Sequence, residues 1–591
     1  MMKRTIRRLG MGLGCMLLAL CTGGCTMEKN EEIKLSYDNE IPEGGIKDNG
    51  DYNQALFYRN DALLDNPDPQ IIYVTDKDST EYGYFYLYGT NMSSDGFKTY
   101  RSKDLQNWQD VSALVGHYAF VPSENCLAQS SFWAPEVIYD EDSDQYYMFY
   151  SGSPGYDDGV INDRSNYTCL AVSDEPYGPF IPCTENGLDE TKVLIDADKA
   201  NAAVTKEDQG PWGNIDASPF VGADGEKYLL FTRSKDVGDD GISTLWGMRM
   251  NSWSDPDYST LTRLTRNGYL TTERTEEASY ESKRQRNEAP HMYVRENEDG
   301  TATYYLTFSI NDRNDYTVIQ AIGDSPLGSY TKLKEEEGGV LLANEGLVWD
   351  HVKGPGHHCF IEVEGELYVF YHQQANRTLG NSWIRTLTKD RIKFTENENG
   401  QTVMVANGPT WSLQPQLKVA SEYSNIASEA TVSVTSGENK EALTDGLLSI
   451  YKAINFVKEF EIKKTSTITL DFGEYREITG IMIYNSKWFE KAFLQVDRVE
   501  FDFKNEEVPD GATAYIDNLE FDWNSYKNAS IDDMRPGGSA VAVFAPMQVK
   551  SIRITFKLPI DRPDNLQLLD SDGYVMRQET IGISEIAVLG K

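Results

Sequence analysis

The sequence predicts an all-β chain in two units, a five-bladed β-propeller followed by a jelly-roll-like β-sandwich. Three observations carry this. A strand-pair cassette recurs five times before residue 419, and no amphipathic helix of ordinary length interrupts it. From about Val419 the cassette stops and the composition turns to Ser, Ala, Thr and Asn. The chain, at 591 residues, is also too long for one ordinary core.

The first element reads as targeting sequence. Lys3, Arg4, Arg7 and Arg8 form a basic region, Met11 to Leu20 an apolar stretch, and Thr22-Gly23-Gly24-Cys25 resembles a bacterial lipoprotein cleavage box with Cys25 as the lipidated residue. Leu is usual where Thr22 stands. The apolar stretch is shorter than the ~20 residues that span a bilayer. Residues 1–25 are therefore expected to be signal and lipobox, and residues 26–50 a polar tether. The membrane is then a partner through the lipid anchor, and the location is the cell envelope, in the outer membrane, periplasmic or surface-exposed.

Charge narrows the remaining partners. With 93 Asp and Glu against 55 Lys and Arg, the net charge is −38, which disfavours nucleic acid and other polyanions. Neutral polysaccharides remain open. Aromatics at 12%, including 35 Tyr, suit strands and ring-stacking surfaces. Cys126, Cys169, Cys183 and Cys359 match no zinc spacing; Cys169 and Cys183 either bridge in an oxidising envelope or remain buried thiols.

The repeats occupy residues 51–418. Pro67-Asp68-Pro69-Gln70 leads to Tyr84 through Gly89, and Trp133-Ala134-Pro135-Glu136 to Tyr146 through Ser151. Ile215-Asp216-Ala217-Ser218-Pro219-Phe220 leads to Tyr228 through Thr232, Glu288-Ala289-Pro290-His291 to Tyr304 through Ser309, and Gly354-Pro355-Gly356-His357-His358 to Leu367 through His372. Each is two β-branched and aromatic strands joined by a turn such as Asp224-Gly225 or Asp299-Gly300. A spacing of roughly 60–80 residues leaves room for about four strands per unit, hence five propeller blades. First strands line a propeller's channel, so Asp68, Glu136, Asp216, Glu288 and His357 are expected to converge on its axis. Clustered carboxylates are costly unless a site uses them.

Residues 419–591 form the second unit. Thr465 to Gly473 alternates with Ile468, Leu470 and Phe472 on one face, and further strands follow at Ile478–Tyr484, Val541–Phe544, Ser551–Phe556 and Ile583–Val588. Asn425-Ile426-Ala427, Thr444-Asp445-Gly446, Leu470-Asp471-Phe472-Gly473 and Ser584 through Gly590 resemble the discoidin-like (coagulation-factor C-type) carbohydrate-binding sandwich. The stretch from Trp488 to Pro536 departs from that pattern, so no ligand face is assigned. The resemblance implies a carbohydrate-binding module and, at Asp445 and Glu585, a structural calcium ion; otherwise these are a turn residue and a surface charge.

Glycosidic cleavage needs a protonated acid at the leaving oxygen and a second carboxylate as base or nucleophile, with a third carboxylate able to raise the acid's pKa. The short Asp68 suits a base that leaves room for water, and the longer Glu288 suits an acid. In order, Pro67-Asp68-Pro69, Trp133 to Glu136, Ile215 to Phe220, Glu288-Ala289-Pro290-His291 and Gly354 to His357 resemble the propellers of glycoside hydrolase family 43. That resemblance implies inversion, with Asp68 as general base, Glu288 as general acid and Asp216 as pKa modulator and orienter, and no cofactor in the chemistry.

For the sugar, Trp133 and Phe132 are expected to form an apolar wall, with Phe132 equally readable as a packed blade residue. Trp212 and Asn214 are expected at the rim, and His291 and His357 beside the substrate. His357 either bonds Asp68 through water or helps to hold an axial ion. Of the family's last-blade arginine, the candidates are Arg377 and Arg385. The favoured reading is an exo-acting α-L-arabinofuranosidase acting on arabinan, arabinoxylan or a related neutral polysaccharide, because the long segments 186–211 and 255–286 can wall in a pocket. A β-xylosidase or a galactan- or galactofuranose-directed hydrolase is the alternative. A glycan-binding lipoprotein without catalysis is the rival of another class.

Overall fold

The computed structural model describes residues 32–40, 52–60, 64–90, 96–120, 122, 126–154, 166–183, 193–234, 243–265, 286–310, 316–344, 353–374, 384–504, 512–521 and 536–591. Cys25, the signal segment and Arg377 lie outside them.

Each cassette becomes an antiparallel blade. Blade 1 is Gln70–Tyr73, Phe85–Tyr88, Thr99–Ser102 and Gln109–Asp110; blade 2 is Ala128–Asp140, Gln145–Pro154, Tyr167–Ser173 and Ile181–Cys183. Blade 3 opens with Gly213–Val221, Lys227–Ser234 and Ser243–Ser252, and blade 4 with Asn287–Glu296, Ala302–Ile310 and Thr317–Gly323. Blade 5 is Gly356–Val363, Glu366–Gln374, Arg385–Glu396 and Thr402–Ala406. The five first strands touch in cyclic order and the fifth meets the first, which closes the ring. Second strands carry the aromatic load: Tyr86, Tyr88, Tyr150, Phe231, Tyr305 and Tyr371 are all buried, each contributing on the order of 1.5–3 kcal/mol of burial.

The chain preceding blade 1 clasps blade 5. Phe57–Tyr58 pairs with Gln414–Pro415. Asn60 donates through Nδ2 to the carbonyls of Lys389 and Thr410, both at 2.9 Å. Its own carbonyl accepts from Gln373 Nε2 at 3.0 Å. One polar side chain thus satisfies buried backbone groups of a blade 5 strand and of the segment that follows the blade, as burial demands.

The C-terminal unit is a nine-stranded sheet. Two long strands, Ser466–Asn485 and Ser539–Phe556, pair along both their halves, with a register break between Asp471 and Arg476. The first half of Ser466–Asn485 also pairs with Thr431–Val434, and the second with Ile581–Gly590. Ile468, Leu470, Ile481, Ile483, Phe501 and Ile554 fill a common core. This arrangement is compatible with the expected sandwich.

The tether expectation needs correction. Glu32–Lys34 pairs in parallel with the strand Thr513–Glu520, and Asp38 bridges Val543. The exposed edge of that strand offers unpaired backbone groups, and Ile33, Leu35 and Tyr37 pack on the core beneath. Residues 32–38 therefore belong to the C-terminal sheet. Cys169 is likewise a free buried thiol, as are Cys126 and Cys359, so the Cys169–Cys183 bridge does not form; Cys169 packs beside Tyr150, and burial raises its pKa.

The two units share a core. Phe57, Leu333, Val340, Val403 and Val405 of the propeller lie in one apolar cluster with Leu447, Leu448, Ile450, Tyr451, Ile454 and Tyr484. Hydrogen bonds cross with them: Ser412 Oγ donates to the Gly537 carbonyl at 2.6 Å, and the Tyr484 hydroxyl to Gln414 Oε1 at 3.1 Å.

Candidate active site

The site begins with a backbone device repeated five times. Asp68, Ala134, Asp216, Ala289 and His357 all have left-handed backbone, with φ of 55, 46, 55, 54 and 44°. Four sit in bulges of the first strands, at the breaks Trp133/Glu136, Ile215/Ser218, Glu288/His291 and Gly356/Cys359. Asp68 stands just before its strand. A bulge re-aims side chains, here those of the left-handed residue and its predecessor. Such backbone costs about 1–3 kcal/mol in a non-glycine residue, and neighbouring blades offset it.

Each left-handed N–H is caught from the preceding blade. Ala134 donates to Thr90 Oγ1 at 2.8 Å, and Asp216 to Ser151 Oγ at 3.1 Å. Ala289 donates to Asp216 Oδ2 at 3.1 Å, His357 to Ser309 Oγ at 2.9 Å, and Asp68 to His372 Nδ1 at 3.2 Å. Ser151, Ser309 and His372 end the aromatic runs of their second strands, and Thr90 follows just after its own. That recurrence of a polar residue after an aromatic run was the available sequence signal for this ring.

Asp68 is held from several sides. Arg385, the first residue of a blade 5 strand, places Nη1 at 2.8 Å from Oδ1 and Nη2 at 3.3 Å from Oδ2. Thr90 Oγ1 donates to Oδ2 at 2.6 Å, and the Nδ1 atoms of His357 and His372 lie 3.4 and 3.3 Å from Oδ1. Burial alone would raise this carboxyl; Arg385 and the two imidazoles outweigh it and hold the group well below the usual carboxylate range. Burial also lowers the pKa of His372, to about 4, and that of His357. Near neutral pH both rings are uncharged, leaving Arg385 as the full positive charge on Asp68.

The opposite side of the axis behaves in the other sense. Asp216 is pushed well above the usual range, first by burial and then by the charges of Glu288, Asp68 and Glu136. Like charges in one dry site cannot all ionise, so the proximity of Glu288 drives Asp216 towards its protonated form. Glu288 also accepts a hydrogen bond from the Tyr316 hydroxyl through Oε1. Glu136 is buried, hydrogen-bonded to Ser218, and raised to about 8 chiefly by burial. The expected convergence is seen in these contacts: Asp216 feels Glu288, Asp68 and Glu136, and His357 reaches Asp68.

The aromatic expectations divide. Trp133 is 43% exposed, whereas Phe132 is 2% exposed and packs against Phe97, Phe120 and Tyr150. Left-handed backbone at Ser131 and Ala134 breaks strand alternation on both sides of the pair. Phe132 is a core residue and not a substrate wall. Trp212 and Asn214 are not rim contacts either. Trp212 is buried beneath the Arg233 guanidinium, 3.7 Å from its ring centroid, and its indole N–H donates to Asn201. Asn214 staples blade 3 to blade 2, accepting the Thr168 N–H at 2.7 Å and donating to the Trp212 carbonyl. His291 packs between blades 4 and 5 against His358 and Phe360. Arg385, one of the two arginine candidates, enters the site; His372 and Tyr316 were not anticipated.

The residues do not suit the expected metals. Among the described residues, no group of three or more His, Cys, Asp or Glu is placed to hold a metal ion. On the axis, Arg385 already supplies the cation beside Asp68 and His357. At Asp445 and Glu585, Leu447 and Gly446 donate backbone N–H groups to one oxygen of each carboxylate. Burial and mutual proximity push Glu585 well above its usual range, and burial raises Asp445. The remaining Glu585 oxygen is buried, and Lys393 adds positive charge nearby. This is a pair of buried carboxyls at the junction of the units, in which a backbone N–H group meets one oxygen of each.

A closed five-bladed ring with opposed acidic and basic carboxyl environments on its axis defines an acid–base hydrolase site. The profile of glycosyl hydrolases family 43 matches residues 62–399. The chain belongs to that family of O-glycosyl hydrolases, whose chemistry needs no cofactor. A xylosidase/arabinosidase of Bacteroides ovatus is 23% identical over 326 residues, 52% of this chain and 82% of that protein. A beta-xylosidase of Xylanibacter ruminicola is 22% identical over 309 residues, 46% of this chain and 76% of that protein. Among solved structures, a thermostable family-43 glycoside hydrolase aligns at 22% identity over 61% of this chain and 98% of that one, with a TM-score of 0.43. An alpha-L-arabinofuranosidase from Lactobacillus brevis aligns at 16% identity over 58% and 95%, with a TM-score of 0.42.

Proposed function

We propose that this chain is an inverting, exo-acting hydrolase that removes α-L-arabinofuranosyl side chains from neutral plant-type polysaccharides such as arabinan or arabinoxylan. The observation that carries the reading is the opposition of Asp68, gripped by Arg385 and held below the usual carboxylate range, to Asp216, raised by burial and by the adjoining Glu288. Asp68 takes a proton from water as that water attacks the anomeric carbon. Glu288 gives its proton to the departing oxygen, and Asp216 orients the acid and sustains its protonation. Carboxylates only 7–8% exposed, with Trp133 at 43% exposed on the neighbouring first strand, suit a pocket for one terminal sugar.

Release of sugar from a panel of aryl α-L-arabinofuranosides and β-D-xylosides tests the substrate. The β-xyloside is the second reading, favoured by the name of the Xylanibacter ruminicola relative. Product anomer by NMR tests inversion. Glu288→Gln and Asp68→Asn are each expected to lower kcat by several orders of magnitude with Tm retained; near-normal turnover in either variant removes the assignment.

The proposal extends to the ends of the chain. The C-terminal sheet unit is read as a discoidin-like glycan-binding module: a Glu288→Gln chain is expected to keep binding the polysaccharide when Trp133 of the propeller is also replaced by Ala, and loss of binding in that double variant would remove the reading. Cys25 is read as the lipid anchor holding the enzyme at the cell envelope, and loss of membrane fractionation in Cys25→Ala is the expected result.

A further inference from the structure

We propose that Tyr316 is a positioning residue for the acid: its hydroxyl holds one carboxyl oxygen of Glu288, so that the other alone carries the proton towards the glycosidic oxygen. The inference rests on the reading of Glu288 as the acid.

The geometry is built for this contact. Tyr316 immediately precedes the blade 4 strand Thr317–Gly323 and is buried, and its hydroxyl donates to Glu288 Oε1. Its ring lies against His372, centroids 5.8 Å apart, and that imidazole accepts the Asp68 N–H. One side chain thus spans the support of the base and the carboxyl of the acid. Space for it is reserved by blade 5. A Cβ on Gly356 would stand 2.4 Å from Tyr316 Cδ2 and 2.8 Å from its Cβ and Cγ. A side chain there would move the ring off Glu288.

The chemistry follows from charge development. When Glu288 releases its proton it becomes a carboxylate, and a phenol donates more strongly to a carboxylate than to a neutral carboxyl. The hydrogen bond therefore strengthens as the reaction proceeds, and only such differential stabilisation accelerates the step. Burial and the neighbouring Glu288 keep the phenol protonated, so it acts as a donor throughout.

The test uses Tyr316→Phe and Gly356→Ala in the full chain, with Glu288→Gln as reference and Tm measured for each. Substrates are pentosides of the anomer the wild type cleaves, carrying either an alkyl or a dinitrophenyl leaving group. The dinitrophenolate departs without protonation. Tyr316→Phe is expected to lower kcat/KM about 10- to 100-fold for the alkyl glycoside and less than about threefold for the dinitrophenyl one. It is also expected to move the basic limb of the pH profile upward, because the carboxylate loses a donor. Gly356→Ala should reproduce that pattern. Equal losses on both substrates, or none, in Tyr316→Phe, while the Glu288→Gln reference does show the leaving-group signature, would overturn the role of Tyr316 and leave the acid in place. A Glu288→Gln enzyme that still cleaves the alkyl glycoside would instead overturn the acid reading itself.

Discussion

The Asp216 carboxylate accepts the backbone N–H of Ala289 at 3.1 Å, which ties it to the residue beside Glu288. The contact gives Asp216 two separable duties, a mechanical one through this hydrogen bond and an electrostatic one through its charge. Asp216→Asn keeps an oxygen that can accept the N–H and removes the charge. Without that repulsion the acid releases its proton more readily, so the basic limb of kcat/KM should move to lower pH. Asp216→Ala loses both duties and should lower kcat further, with the left-handed Ala289 unsupported. An unmoved basic limb in Asp216→Asn would show that the charge of Asp216 does not tune the acid.

Arg385 supplies the complementary control on the base. Its guanidinium is the main reason Asp68 remains ionised despite burial. In Arg385→Met the desolvation effect is left opposed only by uncharged imidazoles, so Asp68 should protonate at higher pH. The acid limb of kcat/KM is expected to rise by about 1–3 pH units, the effect of a close opposite charge. Arg385→Lys should shift it less. A limb at the wild-type position in Arg385→Met would place the acidic ionisation elsewhere than on Asp68.

These groups differ in how far the sequence exposed them. Asp68, Asp216 and Glu288 were legible because each sits in a local cassette, and five repetitions imply a ring that brings the cassettes together. Phe132 and Trp133 could not be sorted by alternation, since left-handed backbone at Ser131 and Ala134 interrupts it. The aromatic that faces solvent is known only from the bulge. Trp212 and Asn214 fill blade interfaces whose partners, such as Thr168, lie far off in sequence. His372 meets Asp68 across 304 positions, and Tyr316 meets Glu288 across 28; neither separation leaves a local pattern. The parallel pairing of Glu32–Lys34 with a strand starting at Thr513 is similarly non-local.

Glu136 predicts a pH dependence of stability that is separate from catalysis. Its carboxyl is raised in the fold to about 8, from an ordinary value of 4.5. Between those values the folded chain keeps a proton that the unfolded chain has released. Stability from this group is therefore full below about pH 4.5 and is lost as the pH rises to about 8. The loss is at most on the order of 5 kcal/mol. Glu136→Gln places a neutral amide beside Ser218 and removes the linkage. Its Tm relative to wild type should climb steadily from pH 4.5 to 8. A difference that stays constant across that range would mean Glu136 does not hold its proton in the fold.

The shared core at the junction predicts that propeller and C-terminal sheet melt together. Tyr451, in the C-terminal unit, is 3% exposed and reaches into blade 4. Its hydroxyl accepts the Ala343 N–H at 2.8 Å, while its carbonyl receives Lys487 Nζ at 2.8 Å. The residue thus bonds to both units at once. Tyr451→Ala removes a buried ring and should destabilise by about 3–5 kcal/mol. Tyr451→Phe leaves the Ala343 N–H without its acceptor, at about 1–3 kcal/mol. Because Leu447, Leu448, Ile450 and Ile454 lie in the same cluster as Leu333, Val340 and Val403, neither unit keeps its apolar surface covered once the other unfolds. Calorimetry should accordingly show one endotherm that moves as a whole in Tyr451→Ala, with glycoside hydrolase activity lost at the same temperature. Two endotherms, with activity surviving the first, would show that the junction contributes no cooperativity.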